Sequence, residues 1–347
     1  MLLQQIIVVF IGLFVVIFPA RADLSATAPD KATNTAATAM CKSGTVAEPS
    51  GILGISDPHA EDPEVINLIA STGVKWVRAE FYWSVIEPEP GAGYRWSTYD
   101  AMVRAYNRNG IQVLGILTYI PDTQPRDWAQ IDAAFQSFAN ATIARYAPRG
   151  VHHWEVFNEP NLPGYGWLDR DENTRAALGA YTLLLARANR AVRSHDPDGV
   201  VVIGGLASDQ HRGLSAEKTM DVIYGLGAKD CFDVMAYHPY GYQNRFPDAR
   251  VRVDAILAAH GDRKKPIWFN EYGWTEQAEM DLSRNPDAGS NPMLAALGQR
   301  DSADALFWFA AKDYSRRRNT PAFGLATFDL KLRPSYETFR SFVAGIK

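Results

Sequence analysis

The sequence predicts an α/β protein folded as a single (β/α)8 barrel, and three observations lead there. Short apolar runs rich in β-branched and aromatic residues alternate with longer amphipathic stretches. Eight such pairs fill the ~300 residues that an eight-stranded barrel needs. The residues at the C-terminal ends of the apolar runs turn acidic, polar or aromatic, and those ends are where such a barrel gathers its functional groups.

In order, the candidate strands are Ile52 to Ser56, Trp76 to Ala79, Val113 to Thr118, His152 to Asn158, Val200 to Gly204, Phe232 to Tyr237, Pro266 to Asn270 and Phe323 to Phe328. Their nearly continuous apolar character indicates parallel strands buried on both faces. The helices predicted between them are Pro63 to Ser71, Thr98 to Arg108, Ile131 to Tyr146, Thr174 to Arg193, Ala216 to Leu226, Ala249 to Ala259, Ser302 to Arg316 and Ser335 to Val343. Pro63, Ser97 and Pro334 supply the residue types expected at helix starts.

Ahead of the barrel, residues 1–22 carry an apolar run from Ile6 to Phe18 followed by Ala20-Arg21-Ala22. That run is too short for the ~20 residues of a membrane span and ends in a small-residue cleavage pattern, so it reads as a signal peptide. Met1 to Gln5 hold no Lys or Arg, which leaves an uncleaved anchor as the alternative. Either reading places the chain in the secreted or cell-envelope compartment, with no stable membrane insertion after cleavage. Residues 23–47 are rich in Ala and Thr without apolar periodicity and read as a flexible linker, and 48–347 as the barrel. Cleavage would remove Arg21, taking Lys+Arg from 35 to 34 against 39 Asp+Glu and the net charge from −4 to −5. With no basic stripe, nucleic acid is not an expected partner. Cys41 and Cys231 are the two cysteines, an even count that suits a disulfide in an oxidising compartment, against two isolated buried thiols.

Two strand ends carry the chemistry. The fourth ends in Trp154-Glu155-Val156-Phe157-Asn158-Glu159-Pro160 and the seventh in Trp268-Phe269-Asn270-Glu271-Tyr272-Gly273-Trp274, so each delivers an Asn-Glu pair to the same barrel mouth. Two carboxyls suit cleavage of an acetal, one to protonate the leaving oxygen and one to meet the oxocarbenium-like carbon. Retaining enzymes hold them about 5–5.5 Å apart and inverting enzymes about 6.5–9.5 Å. Glu155, four residues before Glu159 within the strand, is expected to point into the packed interior.

Asn158-Glu159-Pro160 and Glu271-Tyr272-Gly273-Trp274 resemble the clan A glycoside hydrolases, and the chain from Gly51 to Phe342 is similar to families 5 and 39. That resemblance implies a retaining O-glycosyl hydrolase with Glu159 as acid/base, Glu271 as nucleophile and Asn158 at the sugar 2-hydroxyl. It suggests that Arg78 lies near the nucleophile, the alternative being an internal salt bridge to Glu155, and that His238 and Tyr240 hydrogen-bond the carboxylates or the sugar. It also marks a departure, because the predicted eighth strand ends in Thr327-Phe328-Asp329 where many clan members carry a Trp beneath the sugar.

Aromatic residues above the strands, among them Trp83, Tyr119, Trp167 and Trp274, are candidate sugar-stacking platforms, with Trp83 and Trp274 favoured. No cofactor or metal is expected: His152 and His153 are adjacent and point to opposite sides of a strand, and neither H-E-x-x-H, a G-x-S-x-G elbow nor a phosphate loop occurs. A non-catalytic glycan-binding barrel is the competing class, but both glutamates are in place. The sugar is left open among β-glycans, exopolysaccharides and cell-wall glycans including galactofuranosides, as are endo or exo action and oligomeric state.

Overall fold

The computed structural model describes residues 29–44, 50–124, 127–162, 174–208, 213–242, 245–275, 292–315 and 321–346. Nine strands run parallel in one curled sheet: β1 Ile52–Asp57, β2 Trp76–Tyr82, β3 Gln112–Thr118, β4 His153–Val156, β5 Val200–Ile203, β6 Leu206–Ala207, β7 Met235–His238, β8 Ile267–Tyr272 and β9 Ala305–Phe309. Their order is β5-β4-β3-β2-β1-β9-β8-β7-β6. β6 continues β5 after Gly204-Gly205, and a bridge between Val202 and Val234 joins the two ends of the sheet. The eight barrel positions are thus filled, with β5 and β6 sharing the fifth.

The helices are α1 Lys31–Thr38, α2 Pro63–Thr72, α3 Trp83–Ile86, α4 Ser97–Arg108, α5 Trp128–Tyr146, α6 Thr174–His195, α7 Ala216–Gly225, α8 Phe246–Ala259, α9 Pro292–Leu297 and α10 Pro334–Gly345. Their starts follow local chemistry. Asp62 caps the Glu64 amide ahead of Pro63, Asp127 caps Gln130 and Ser215 caps Lys218. Among the described residues no helix is long and apolar enough to cross a membrane.

Alternation along the strands sorts the core into two parts. Outward residues pack under the helices: Phe81 on β2 meets Tyr99 of α4, Tyr146 of α5 and Trp154 of β4. Inward residues fill the barrel in levels. Trp76, His153 and Trp268 form the lowest, their rings in mutual contact. Two residues further along each strand lie Arg78, Glu155 and Asn270, and above them the mouth opens.

Two expectations are corrected here. The eighth barrel strand is Ala305–Phe309, inside the segment expected as the helix Ser302 to Arg316, and it pairs with β1 and β8. Residues 323–328 instead make single bridges at Ala326, to Lys312 and Leu332. The second concerns the expected linker. Asp30 caps α1, Asn34 is buried, Thr38 Oγ1 donates to Leu226 O, and Asn189 clasps both the N–H and C=O of Lys42. Cys41 is bonded to Cys231, 190 residues away. Residues 30–44 are therefore docked on α6 and the segment after α7, by contacts that a local reading of Ala/Thr composition does not reveal.

Candidate active site

Both Asn-Glu pairs reach the mouth because the backbone breaks its alternation just before them. On a regular strand Asn270 and Glu271 would face opposite sides. The β8–β9 register shifts between Phe269 and Tyr272, and this irregularity turns both side chains into the barrel. After β4 the same end is reached differently. Phe157 and Glu159 adopt φ of 58° and 43°, a left-handed conformation unusual for residues other than glycine. The Phe157 ring packs outward on Phe135, while Asn158 and Glu159 turn over the mouth. The Glu159 amide donates to Gly205 O at 3.1 Å, pinning this turn to the Gly204-Gly205 break in the next strand.

Arg78 stands at the centre. Its Nε and Nη2 donate to the two oxygens of Glu155 at 2.7 and 2.8 Å, its Nη1 to Glu271 Oε2 at 2.9 Å and Ser56 Oγ at 3.1 Å, and Nη2 also to Asn158 Oδ1 at 2.7 Å. The two contacts weighed from sequence, to Glu271 and to Glu155, are made at once. Glu155 also accepts from Gly205 N and Asn270 Nδ2, so each of its oxygens has two donors. It is fully buried below the mouth, as expected for a residue of the packed interior. The bond from Arg78 fixes which way the Asn158 amide is turned and directs its NH2 away from the guanidinium.

The two mouth carboxyls have different settings. Glu271 receives Arg78 on Oε2 and the Tyr240 hydroxyl on Oε1 at 3.0 Å. Burial pushes its carboxyl above the ordinary value, opposed by the charges of His238 and Arg78, while Glu159 adds to the rise. Glu159 Oε1 lies 2.9 Å from His238 Nδ1. His238 is fully buried against Gly205, where a Cβ would stand 2.1 Å from its Nε2, so glycine is required there. His238 and Tyr240 thus each contact a mouth carboxyl.

A small cavity opens beside Glu271, walled by Asp57, Arg78, Glu80, Tyr119, Asn158 and Phe309. Tyr119 meets the expectation of an aromatic at the cleft. Trp83 does not: it is 0% exposed, stacks on Phe138 and donates its Nε1 to Glu87, so it belongs to the packing around α5. Trp274, 6% exposed, packs edge-on against Tyr272 and Trp308 and is likewise core. Trp167 lies outside the described residues. With the eighth strand now at Ala305–Phe309, the aromatic at its end is Phe309, so the departure from a Trp moves from Thr327-Phe328-Asp329 to this position.

Sequence reasoning missed Asp57, Glu80 and Phe309 in the cavity wall. Asp57 accepts from the amides of His59, Ala311 and Lys312, and burial pushes its carboxyl up to about 6. Glu80, two residues beyond Arg78, has its carboxyl pushed up to about 8 by burial. The signal for Glu80 was its spacing from Arg78, obscured because the second strand was expected to stop at Ala79.

The sequence pattern of the family described as cellulase (glycosyl hydrolase family 5) matches residues 33–313. No curated protein matches the sequence. Among solved structures, the fold is similar to a family 39 glycoside hydrolase from Bacteroides cellulosilyticus WH2 (TM-score 0.63, 18% identity, 86% of this chain and 64% of that one). It is also similar to a monomeric β-xylosidase from Caulobacter crescentus CB15 (TM-score 0.65, 16% identity, 87% and 70%) and to a glucosidase from Croceicoccus marinus (TM-score 0.62, 20% identity, 87% and 68%). The chain thus spans just under two thirds of the Bacteroides enzyme. With this match over most of its length and a (β/α)8 barrel beneath it, the chain belongs to glycosyl hydrolase family 5 of clan A.

Proposed function

We propose that the protein is a retaining glycoside hydrolase that cleaves a glycan by double displacement. Glu271 attacks the anomeric carbon and forms a glycosyl-enzyme ester while Glu159 gives its proton to the departing oxygen. Glu159 then takes a proton from water, which opens the ester and frees Glu271. Arg78 and Tyr240 hold Glu271 as the carboxylate that attack requires and fix its direction. The Asn158 amide faces the sugar 2-hydroxyl. The observation that carries this reading is the unequal support of the two carboxyls among the described residues, with Arg78 and Tyr240 on Glu271 and the His238 imidazole on Glu159. The family's cellulase description and the β-xylosidase among similar structures support a β-linked glycan as substrate.

The Cys41–Cys231 bond and the apolar stretch at residues 6–18 support action outside the cytoplasm. Mass determination of the exported protein tests it, with a mature chain beginning at Asp23 expected.

The mechanism is tested by following product anomers by NMR on a panel of β-glycans and aryl β-glycosides. The first-formed sugar should keep the β configuration, and Glu271→Ala should be inert until azide restores turnover as a glycosyl azide of opposite configuration. An inverted product removes Glu271 from the role of nucleophile. Equal inertness of the wild type and Glu271→Gln, with polysaccharide still bound, would make the barrel a binding module.

A further inference from the structure

Resting on the glycosidase reading, we propose that Glu80 is a substrate-binding residue that grips a hydroxyl group of the sugar lying against Glu271, and so helps set which sugar the enzyme accepts. Glu80 shares the inward face of β2 with Arg78 and pairs in register with Ile116 of β3. Both Glu80 and Ile116 line the cavity that contains Glu271, Asn158 and Tyr119. The charged groups around it are Arg78 on its own strand, Glu271 from β8 and Glu61 from the segment after β1, with the phenols of Tyr82 and Tyr119 beside it.

One carboxyl oxygen, Oε2, is buried and has no hydrogen-bond partner. Tyr82 lies against the carboxyl, but its single hydroxyl proton goes to Pro58 O at 2.8 Å. A buried polar atom without a partner costs stability, and such atoms persist where a ligand completes the bonding. The group that completes it must be neutral and able both to donate and to accept. Glu80 keeps its own proton at neutral pH, and Glu271 alongside leaves little room for another negative charge. A sugar hydroxyl meets both conditions, accepting from the acid and donating to its carbonyl oxygen.

The test compares wild type, Glu80→Ala and Glu80→Gln on 2,4-dinitrophenyl β-glycosides of glucose, xylose, mannose and galactose, together with the monodeoxy analogues of whichever the wild type prefers. Glu80→Ala should lower kcat/KM about 10- to 100-fold on the preferred glycoside, because a site built to hold a hydroxyl is penalised when either side of the bond is removed. On one monodeoxy analogue that penalty should shrink to less than about 3-fold, since the bond is already absent. Glu80→Gln, which can still donate and accept, should stay within about 5-fold of the wild type on the full sugar. Circular dichroism of both variants checks the fold.

An equal penalty on every analogue, or none on any sugar, overturns the assignment of Glu80. If the wild type turns over and Glu271→Ala does not, that outcome leaves the glycosidase reading standing. A wild type inert on this panel and on the β-glycans as well overturns both.

Discussion

Two acids inside the same barrel, Glu155 and Glu80, are treated in opposite ways. Glu155 sits at the level below the mouth and receives four donors from Arg78, Gly205 and Asn270. Glu80, on the cavity wall, keeps an oxygen with no donor and a carboxyl held protonated into the neutral range. The first arrangement is complete without substrate and serves as a rivet between strands. The second is incomplete, and incompleteness at a barrel mouth marks where a ligand's own polar groups finish the bonding. Arg78 joins the two levels, since one guanidinium serves Glu155 below and Glu271 above.

Breaking that joint should have the largest effect. Arg78→Met leaves Glu155 charged and unpaired in the interior, and chemical denaturation should show a loss of about 3–5 kcal/mol alongside lost turnover. A loss below about 1 kcal/mol would mean that the lower level is not a rivet.

Gly205→Ala comes next and acts mainly on the upper level, because its new methyl would meet His238 Nε2. With Glu159 displaced through His238, kcat/KM should fall about 100-fold in protein that still unfolds cooperatively. Unchanged kinetics would show that His238 does not position Glu159.

Glu80→Gln separates the two acids by pH. The folded carboxyl titrates at about 8 against an ordinary 4.5, so between those values the folded chain holds a proton that the unfolded chain has released. Stability from this group therefore falls as pH rises through the window. The variant should match the wild type near pH 4 and exceed it by about 1–2 kcal/mol at pH 8, a figure reduced for partial exposure to solvent. A difference that stays flat from pH 4 to 9 would contradict the raised carboxyl.

The smallest effect is expected from Tyr240→Phe. It removes one neutral donor from Glu271 and leaves Arg78, so kcat should drop about 3- to 10-fold with little change in melting temperature.

Much of this was legible in the sequence, for identifiable reasons. Seven of the eight barrel strands stood out as short apolar runs between amphipathic stretches, and the pairs Asn158-Glu159 and Asn270-Glu271 because two of those runs end abruptly in an acid. The eighth strand did not, because Ala305-Leu-Phe-Trp-Phe is apolar at every position, and a short buried strand of that kind has the same periodicity as a buried helix segment. Trp83 and Trp274 sit in the right loops, but their burial depends on partners such as Phe138 and Trp308 that only the folded chain brings near. The docking of α1 depends on Asn189, Leu226 and Cys231, far away in sequence. Glu80 was hidden by a strand boundary expected at Ala79, three residues short of the actual end at Tyr82.

The central claim, that Glu271 is the group that bonds to the sugar, is tested most directly by trapping that bond. Incubation with a 2-deoxy-2-fluoro β-glycoside carrying a good leaving group, followed by peptide mass analysis, should find one fluorosugar attached to the peptide containing Glu271 and none in the Glu271→Gln variant. A label on Glu159 or Glu80, or turnover of the full substrate with no trapped ester at any position, would contradict the account.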